Sequence, residues 1–466
     1  MGRATARGIP AGQGDASGAR GRSRAERYRA GRELRRQVRR SAQADWSPAR
    51  DRADPIDLLR AADGGRVPAL LPIRYARMAS SPFAFLRGAA VVMARDLSTT
   101  RTTGLAVQLV GDAHPGNFGL FATPERDQVF DANDFDETTP GPWEWDVKRL
   151  ASGLVLVARA NRLSGKLGRA AARAAARAYR HRLEALAGMR YLDAWYAHLD
   201  LAGAAQEVGA IARRWLRREL PVARLRTGFH AFPRLARRTG AHVRIRDDPP
   251  LLRHFDRSGD EAAAREVFRS YRENLADDRR VLLDRYRLVD VAQKVVGVGS
   301  VGTRCSIGLF LADPDLEEPL FLQVKEARAS VYERYLGRSP YRSHAERVVV
   351  GQRLVQEASD LFLGWGRAGP HDFYVRQLRD MKFASDLSSL GPRALLGLAE
   401  LCGASLARAH ARTGDAAAIA GYLGRGEGFD EAMVRFGEGY AHQTEEDHAV
   451  LLKAIATGRL PAAPAG

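Results

Sequence analysis

An apolar run at 107–110 leads into a tight polar turn, GDAHPGN, that carries Asp112 and Asn117, and a second apolar run at 129–132 opens into NDFDE, which carries Asp134 and Asp136. Four oxygen-bearing side chains thus arrive within 25 residues. Phosphoryl transfer uses these residue types: a carboxylate orients or deprotonates an acceptor hydroxyl, while an amide oxygen and another carboxylate hold Mg2+ against the phosphates of ATP. Asp112 and Asn117 are the expected catalytic pair, with Asp112 as the base. Asn117 and Asp134 are the expected Mg2+ ligands, and Asp136 serves a second metal or caps the following turn. Imidazole is unusual around Mg-ATP, so His114 is expected to fix the loop by a hydrogen bond.

A second constellation lies far downstream. GVGSVG at 297–302 matches G-x-G-x-x-G, a pattern shared by dinucleotide folds, phosphate flaps and plain glycine-rich hairpins. The dinucleotide reading needs a helix directly after the glycines. Instead Cys305, Ile307, Leu309 and Leu311 alternate as in a strand, which favours a flap whose backbone N–H groups cover phosphates. Gly297, Gly299, Ser300 and Gly302 are therefore the expected nucleotide contacts. The next strand, FLQVKEA, presents Lys325 as the phosphate-binding lysine. Its expected helix partner is Glu346, with Glu357 the competitor.

The motifs carry two resemblances. GDAHPGN resembles the HGDLHPGN catalytic loop of the aminoglycoside phosphotransferase and choline kinase-like branch of the protein kinase-like fold, and NDFDE resembles that branch's metal-binding IDFDD; Val110 departs from it where the pattern has His. From RMASSPFAFLRGAA through GDAHPGNFG, GPWEWDVKRLA, VVGVGSVGTRC and YVRQLRDMK, the chain also resembles a bacterial family, domain of unknown function 2252. The kinase-like resemblance implies an ATP- and Mg2+-dependent phosphotransferase, with Asp146 anchoring the catalytic loop. It also implies an α+β, two-lobed fold in circularly permuted order, because the flap and lysine follow the catalytic loop. The helix ending LARAHAR at 406–412 resembles the one that precedes that loop in small-molecule kinases, and here it comes near the end. Two alternatives stand beside this reading: a pseudokinase that binds nucleotide without turnover, and a metallophosphoesterase, whose Gly-Asn-His segment the sequence lacks.

The elements that must position these residues follow from pattern. Residues 1–50 form a basic tail, disordered or partly helical; 51–285 a mainly helical lobe bearing the catalytic loop; 286–378 a small β-rich lobe; and 379–466 helices packing on the large lobe. With 466 residues and 45% hydrophobic content the chain buries a large core. Its charge of +18 is uneven, since residues 1–50 hold 13 Arg against four acids. That arm is expected to be solvated, with residues 25–40 able to form a basic helix that meets an acidic partner or nucleic acid. Two cysteines, Cys305 and Cys402, and no apolar run of membrane-spanning length point to the cytoplasm.

Overall fold

The computed structural model describes residues 21–197, 228–239, 242–295, 297–312, 318–378, 383–384 and 386–463. The first twenty residues, residues 198–227 and residues 313–317 lie outside them. The protein is α+β, with a helical region and a separate antiparallel sheet.

The helical region is built around Trp143–Ala160, a helix buried along nearly its whole length, flanked by Gly165–Gly188, Pro392–Thr413 and Gly428–Ala456. Apolar residues on all sides leave such a helix no stable place except a core. Two small ribbons lie on this bundle and carry the polar turns. Strand β1 (Ala106–Leu109) pairs with β4 (Thr139–Pro142), and β2 (Phe118–Ala122) pairs with β3 (Gln128–Ala132), all antiparallel.

The other region contains β5 (Ala236–Thr239), β6 (His242–Ile245), β7 (Leu252–Arg253), β8 (Arg287–Lys294), β9 (Cys305–Leu311), β10 (Pro319–Ala327), β11 (Gly364–Ala368) and β12 (His371–Gln377); β13 (Phe383–Ala384) returns to β2. Six of them form one sheet in the order β11-β12-β10-β9-β8-β7. The period of two divides β10 between two faces. Leu320, Leu322 and Val324 join Val267, Phe268 and Tyr271 of the helix Ser258–Asn274 in one core, while Phe321 packs on the other face with Ile307, Leu309 and Ile245. Lys325 shares the parity of Phe321 and is opposite Cys305 and Tyr374.

Two expectations need correction. The boundary at 285 is too late, because β5, β6, β7 and the helix Ser258–Asn274 all pack on the small sheet; their apolar faces complete its two cores. The described part of the basic arm does not stand free of the body either, although most of its arginines stay exposed. Its helix, Arg24–Gln37, starts with a Ser23–Glu26 capping box and docks on the helix Ala416–Leu423. Gly31 permits the approach: a Cβ there would fall 1.8 Å from the Ala418 carbonyl oxygen. Arg27 then reaches Asp415 at 3.0 Å, and Arg35 donates to the Tyr422 carbonyl at 2.8 Å.

Candidate active site

The turn after β1 is held from three sides. Asp146, in the first turn of Trp143–Ala160, accepts hydrogen bonds from the backbone N–H groups of Val110 (2.7 Å) and Gly111 (3.0 Å). His410 supports Asp146 with Nε2 at 3.2 Å while its Nδ1 meets the Tyr179 hydroxyl at 2.9 Å. An imidazole is therefore present beside the loop although Val110 replaces the motif's histidine, and it comes from the LARAHAR helix. Gly111 adopts φ +86°, and a Cβ on it would lie 2.3 Å from the Glu137 carbonyl oxygen. Only glycine suits that position. Tyr332 donates to the Gly111 carbonyl at 2.6 Å and completes the clamp.

Asp112 is thereby turned into a cleft between the two regions. Its Oδ1 accepts from Arg149 Nε at 2.6 Å, and Asn117 Nδ2 donates to its carbonyl (2.8 Å) and to Oδ2 (3.2 Å). Burial alone would raise the Asp112 carboxyl, but Arg149 and then His114 outweigh it and hold the group well below the ordinary carboxylate range. Asp112 thus stays ionised and suits orienting a hydroxyl better than strong proton abstraction. Burial pushes His114 down. Its Nδ1 accepts from Gly116 N–H at 3.1 Å, so the neutral ring carries its proton on Nε2, facing Asp112 at 3.5 Å. That is the loop-fixing role expected of it.

The opposite wall is the small sheet. The glycine segment 297–302 joins β8 to β9, neighbours in an antiparallel hairpin, so no helix follows the glycines. Lys325, buried on the sheet and 191 residues from Asp134 in sequence, lies 3.5 Å from Asp134 Oδ2 and makes a closer ion pair with Asp136. Asp136 is further held by the Tyr374 hydroxyl at 2.8 Å and the Ser300 hydroxyl at 3.2 Å. Burial disfavours charge on both partners, yet the two acids raise Lys325 well above the usual lysine range and Lys325 lowers Asp136.

The helix glutamate is a correction. Glu346 Oε2 accepts from Arg342 N–H at 2.9 Å at the start of His344–Val355 and makes no ion pair with Lys325. Glu357 lies 4.0 Å from Arg408 instead. From that helix it is Arg347 that reaches the site, donating to the carbonyls of Asp136 (2.8 Å), Thr138 (2.5 Å) and Arg328 (2.7 Å). Asp136, expected on metal, is spent on protein donors, which makes it the anchor between sheet and turn. Asp134 keeps one carboxylate oxygen buried without a partner.

Gly297, Gly299, Ser300, Asp112, Asn117, Asp134 and Asp136 all line one cleft, together with Arg66 from a bend and Arg74 and Arg87 from helices near the N-terminus. Gly302 is tied down beside it, its carbonyl accepting from Val67 N–H at 2.7 Å. Arg149, Arg347, Tyr374 and the three N-terminal arginines went unread in the sequence. Arg149 had a visible signal, three residues after Asp146 on the helix beside the turn. Tyr374 is brought in by strand register, Arg347 by the helix His344–Val355, and Arg66, Arg74 and Arg87 by segments more than twenty residues upstream of the turn.

Over residues 66–454 the chain matches the model of a family described as an uncharacterized protein conserved in bacteria, DUF2252. The chain belongs to that family. Searches of curated proteins and of solved structures return no match. The DUF2252 match runs from Arg66 through Asp112, Lys325 and Arg408, so both walls of the cleft are within it. Among the described residues no helix is long and apolar enough to cross a membrane, and no three His, Cys, Asp or Glu side chains converge as a metal cluster.

Proposed function

We propose that this protein is an ATP- and Mg2+-dependent phosphotransferase of permuted kinase-like architecture, acting on a hydroxyl acceptor. One observation carries the reading: Lys325, one hairpin beyond the glycine loop, pairs with Asp134 and Asp136, and both acids line a cleft that the glycine loop also lines. Two unrelated sites would have no reason to face each other. The permuted order is supported at the opposite end, where Thr413 closes the helix Pro392–Thr413 and its hydroxyl accepts from Gln108 N–H of β1 at 3.1 Å. The chain's late helix thus abuts the strand that opens the catalytic turn.

The donor set fits Mg2+. The cation takes hard oxygens and commonly only one or two protein carboxylates, the rest being water and phosphate. Asp134 offers its unpartnered oxygen, and Asn117, whose amide nitrogen is turned to Asp112, offers its amide oxygen. Bound Mg-ATP would supply the electrophilic phosphoryl group and the neutralisation of its oxygens. Lys325 and the flap would bind phosphates, and Asp112 would orient the acceptor. The cleft holds only about 80 Å3, the space of a few waters, so the flap must lift to admit a nucleotide. The setting we propose is the cytoplasm, where the free buried Cys305 and Cys402 would stay reduced.

A nucleotide-binding regulator without turnover is the second reading, favoured by the tight hold of Arg149 on Asp112. Calorimetry and slow ATP consumption separate the two. We expect Asp134→Asn to remove Mg2+-dependent ATP binding. Asp112→Asn should keep that affinity and lose about 10²-fold or more in turnover, roughly 3 kcal/mol in the barrier. Equal Mg-ATP affinity in the Asp134 variant would sink the metal assignment, and turnover that is absent or indifferent to Asp112 would leave the regulator.

A further inference from the structure

Three guanidinium groups line the cleft from the N-terminal segment, and two of them are committed. Arg66 donates to the Val301 carbonyl at 2.6 Å and Arg74 to the Gly88 carbonyl at 2.8 Å, with Asp63 at 3.6 Å and 3.5 Å from them. Arg87 has no carbonyl or carboxylate hydrogen bond among the described residues, and its Nε is buried without a partner. Its guanidinium lies 6.0 Å over the Phe83 ring, whose edge packs on His114 at 5.7 Å. A Cβ built on Gly297 would be 3.9 Å from an Arg87 terminal nitrogen, which puts the charge directly under the first glycine of the flap.

Burial lowers the Arg87 guanidinium from its usual range, and Asp112 and Asp134 are the two groups that oppose this. Arg87 is partly exposed at the cleft wall, so its charge is available to an anionic ligand there. Arg87 lines the same cleft as Asp112 and Asp134.

We propose that Arg87 is the cation that meets the oxygens of the phosphoryl group in transit, supplied by the helix Pro82–Gly88 from outside both motif segments. The inference rests on the phosphotransfer reading and adds to it a residue that touches the reacting group. Arg87 donates to the non-bridging oxygens as the acceptor oxygen bonds to phosphorus and the bridge to ADP breaks, its electron pair leaving on ADP; Asp112 orients the acceptor hydroxyl, whose proton passes to water. A planar guanidinium offers two donors to such oxygens, which an ammonium cannot match.

Calorimetry with Mg-ADP, alone and with aluminium fluoride as the mimic of the transferred group, tests this without turnover. The wild type should gain affinity for Mg-ADP by about tenfold or more when fluoride and aluminium are added. Arg87→Gln should bind Mg-ADP within about twofold of wild type and lose that gain, and Arg87→Lys should keep only part of it. A full gain in Arg87→Gln, or in Arg87→Lys should the first variant not fold, overturns the proposal, as does a wild type that binds Mg-ADP with no gain. A wild type that does not bind Mg-ADP brings down the phosphotransfer reading itself.

Discussion

Asp131 and Asp134 stand three residues apart at the end of β3, and their surroundings are opposite. Asp131 is fully buried and saturated: Ser405 Oγ (2.6 Å) and Ala132 N–H (2.9 Å) donate to Oδ1, Glu357 N–H (2.7 Å) and Arg408 to Oδ2. Asp134 is 32% exposed, has Lys325 at 3.5 Å as its ion pair, and keeps one oxygen without a partner. Two acids of one segment thus separate into a structural brace and a group left open to a ligand. Saturation by protein donors, more than burial, distinguishes them.

Removing the counter-charge of the brace should have the largest effect. Arg408→Met leaves Asp131 charged and unpaired in the core and should cost about 3–5 kcal/mol in denaturant unfolding. Asp134→Asn should cost less than about 1 kcal/mol, because it is partly solvated and Lys325 keeps Asp136. The reverse order would break the comparison.

The docked arm supplies a second brace of the same type, its arginines spent on Asp415 and on the Tyr422 carbonyl. Deleting residues 1–40 should lower stability by about 2 kcal/mol, seen as a lower melting temperature, since Leu34 and its neighbours leave the core surface. An unchanged melting temperature would make the docking energetically empty. With the arm docked, any acidic partner or nucleic acid would meet only the arginines the body does not use.

The smallest effect is expected at a histidine bridge in the sheet region. His254 Nδ1 lies 2.9 Å from Asp247 and Nε2 3.0 Å from Asp290; burial works against its charge, but the two acids prevail and raise it above 6.5. A raised folded value contributes stability that is fully present below the unfolded value and lost as pH rises through the folded one. His254→Gln should therefore show its stability deficit at pH 6 and lose it in a melting series run to higher pH. A deficit that grows with pH would assign the bridge to the neutral ring.

Much of this was legible because the chemistry is local. The GDAHPGN turn, the NDFDE segment and the glycine loop each fit within a few residues, and β9 and β10 alternate clearly enough to exclude a helix after Gly302 and to put Lys325 on a strand. What stayed hidden depends on pairing across the chain. Tyr374 reaches Asp136 only because β12 is in register with β10, and nothing near Tyr374 in sequence signals it. Glu346 looked correct by helix position, yet its side chain turned to the Arg342 amide, and Arg347, one residue on, took the face toward the site. The arm looked solvated because its charge is obvious, while the glycine contact that docks it is not.

The span between Asp134 and Lys325 also has a consequence for how the molecule is made. At about 5–20 residues per second of synthesis, the 191 residues between them correspond to roughly 10–40 s on the ribosome. Asp131 waits longer still, for Ser405 and Arg408 lie 274 and 277 residues downstream. The acids emerge first and their counter-charges last, so the nascent N-terminal half carries uncompensated carboxylates that resist burial. The cleft closes only after the sheet has been delivered, and the brace behind it only when the late helix arrives.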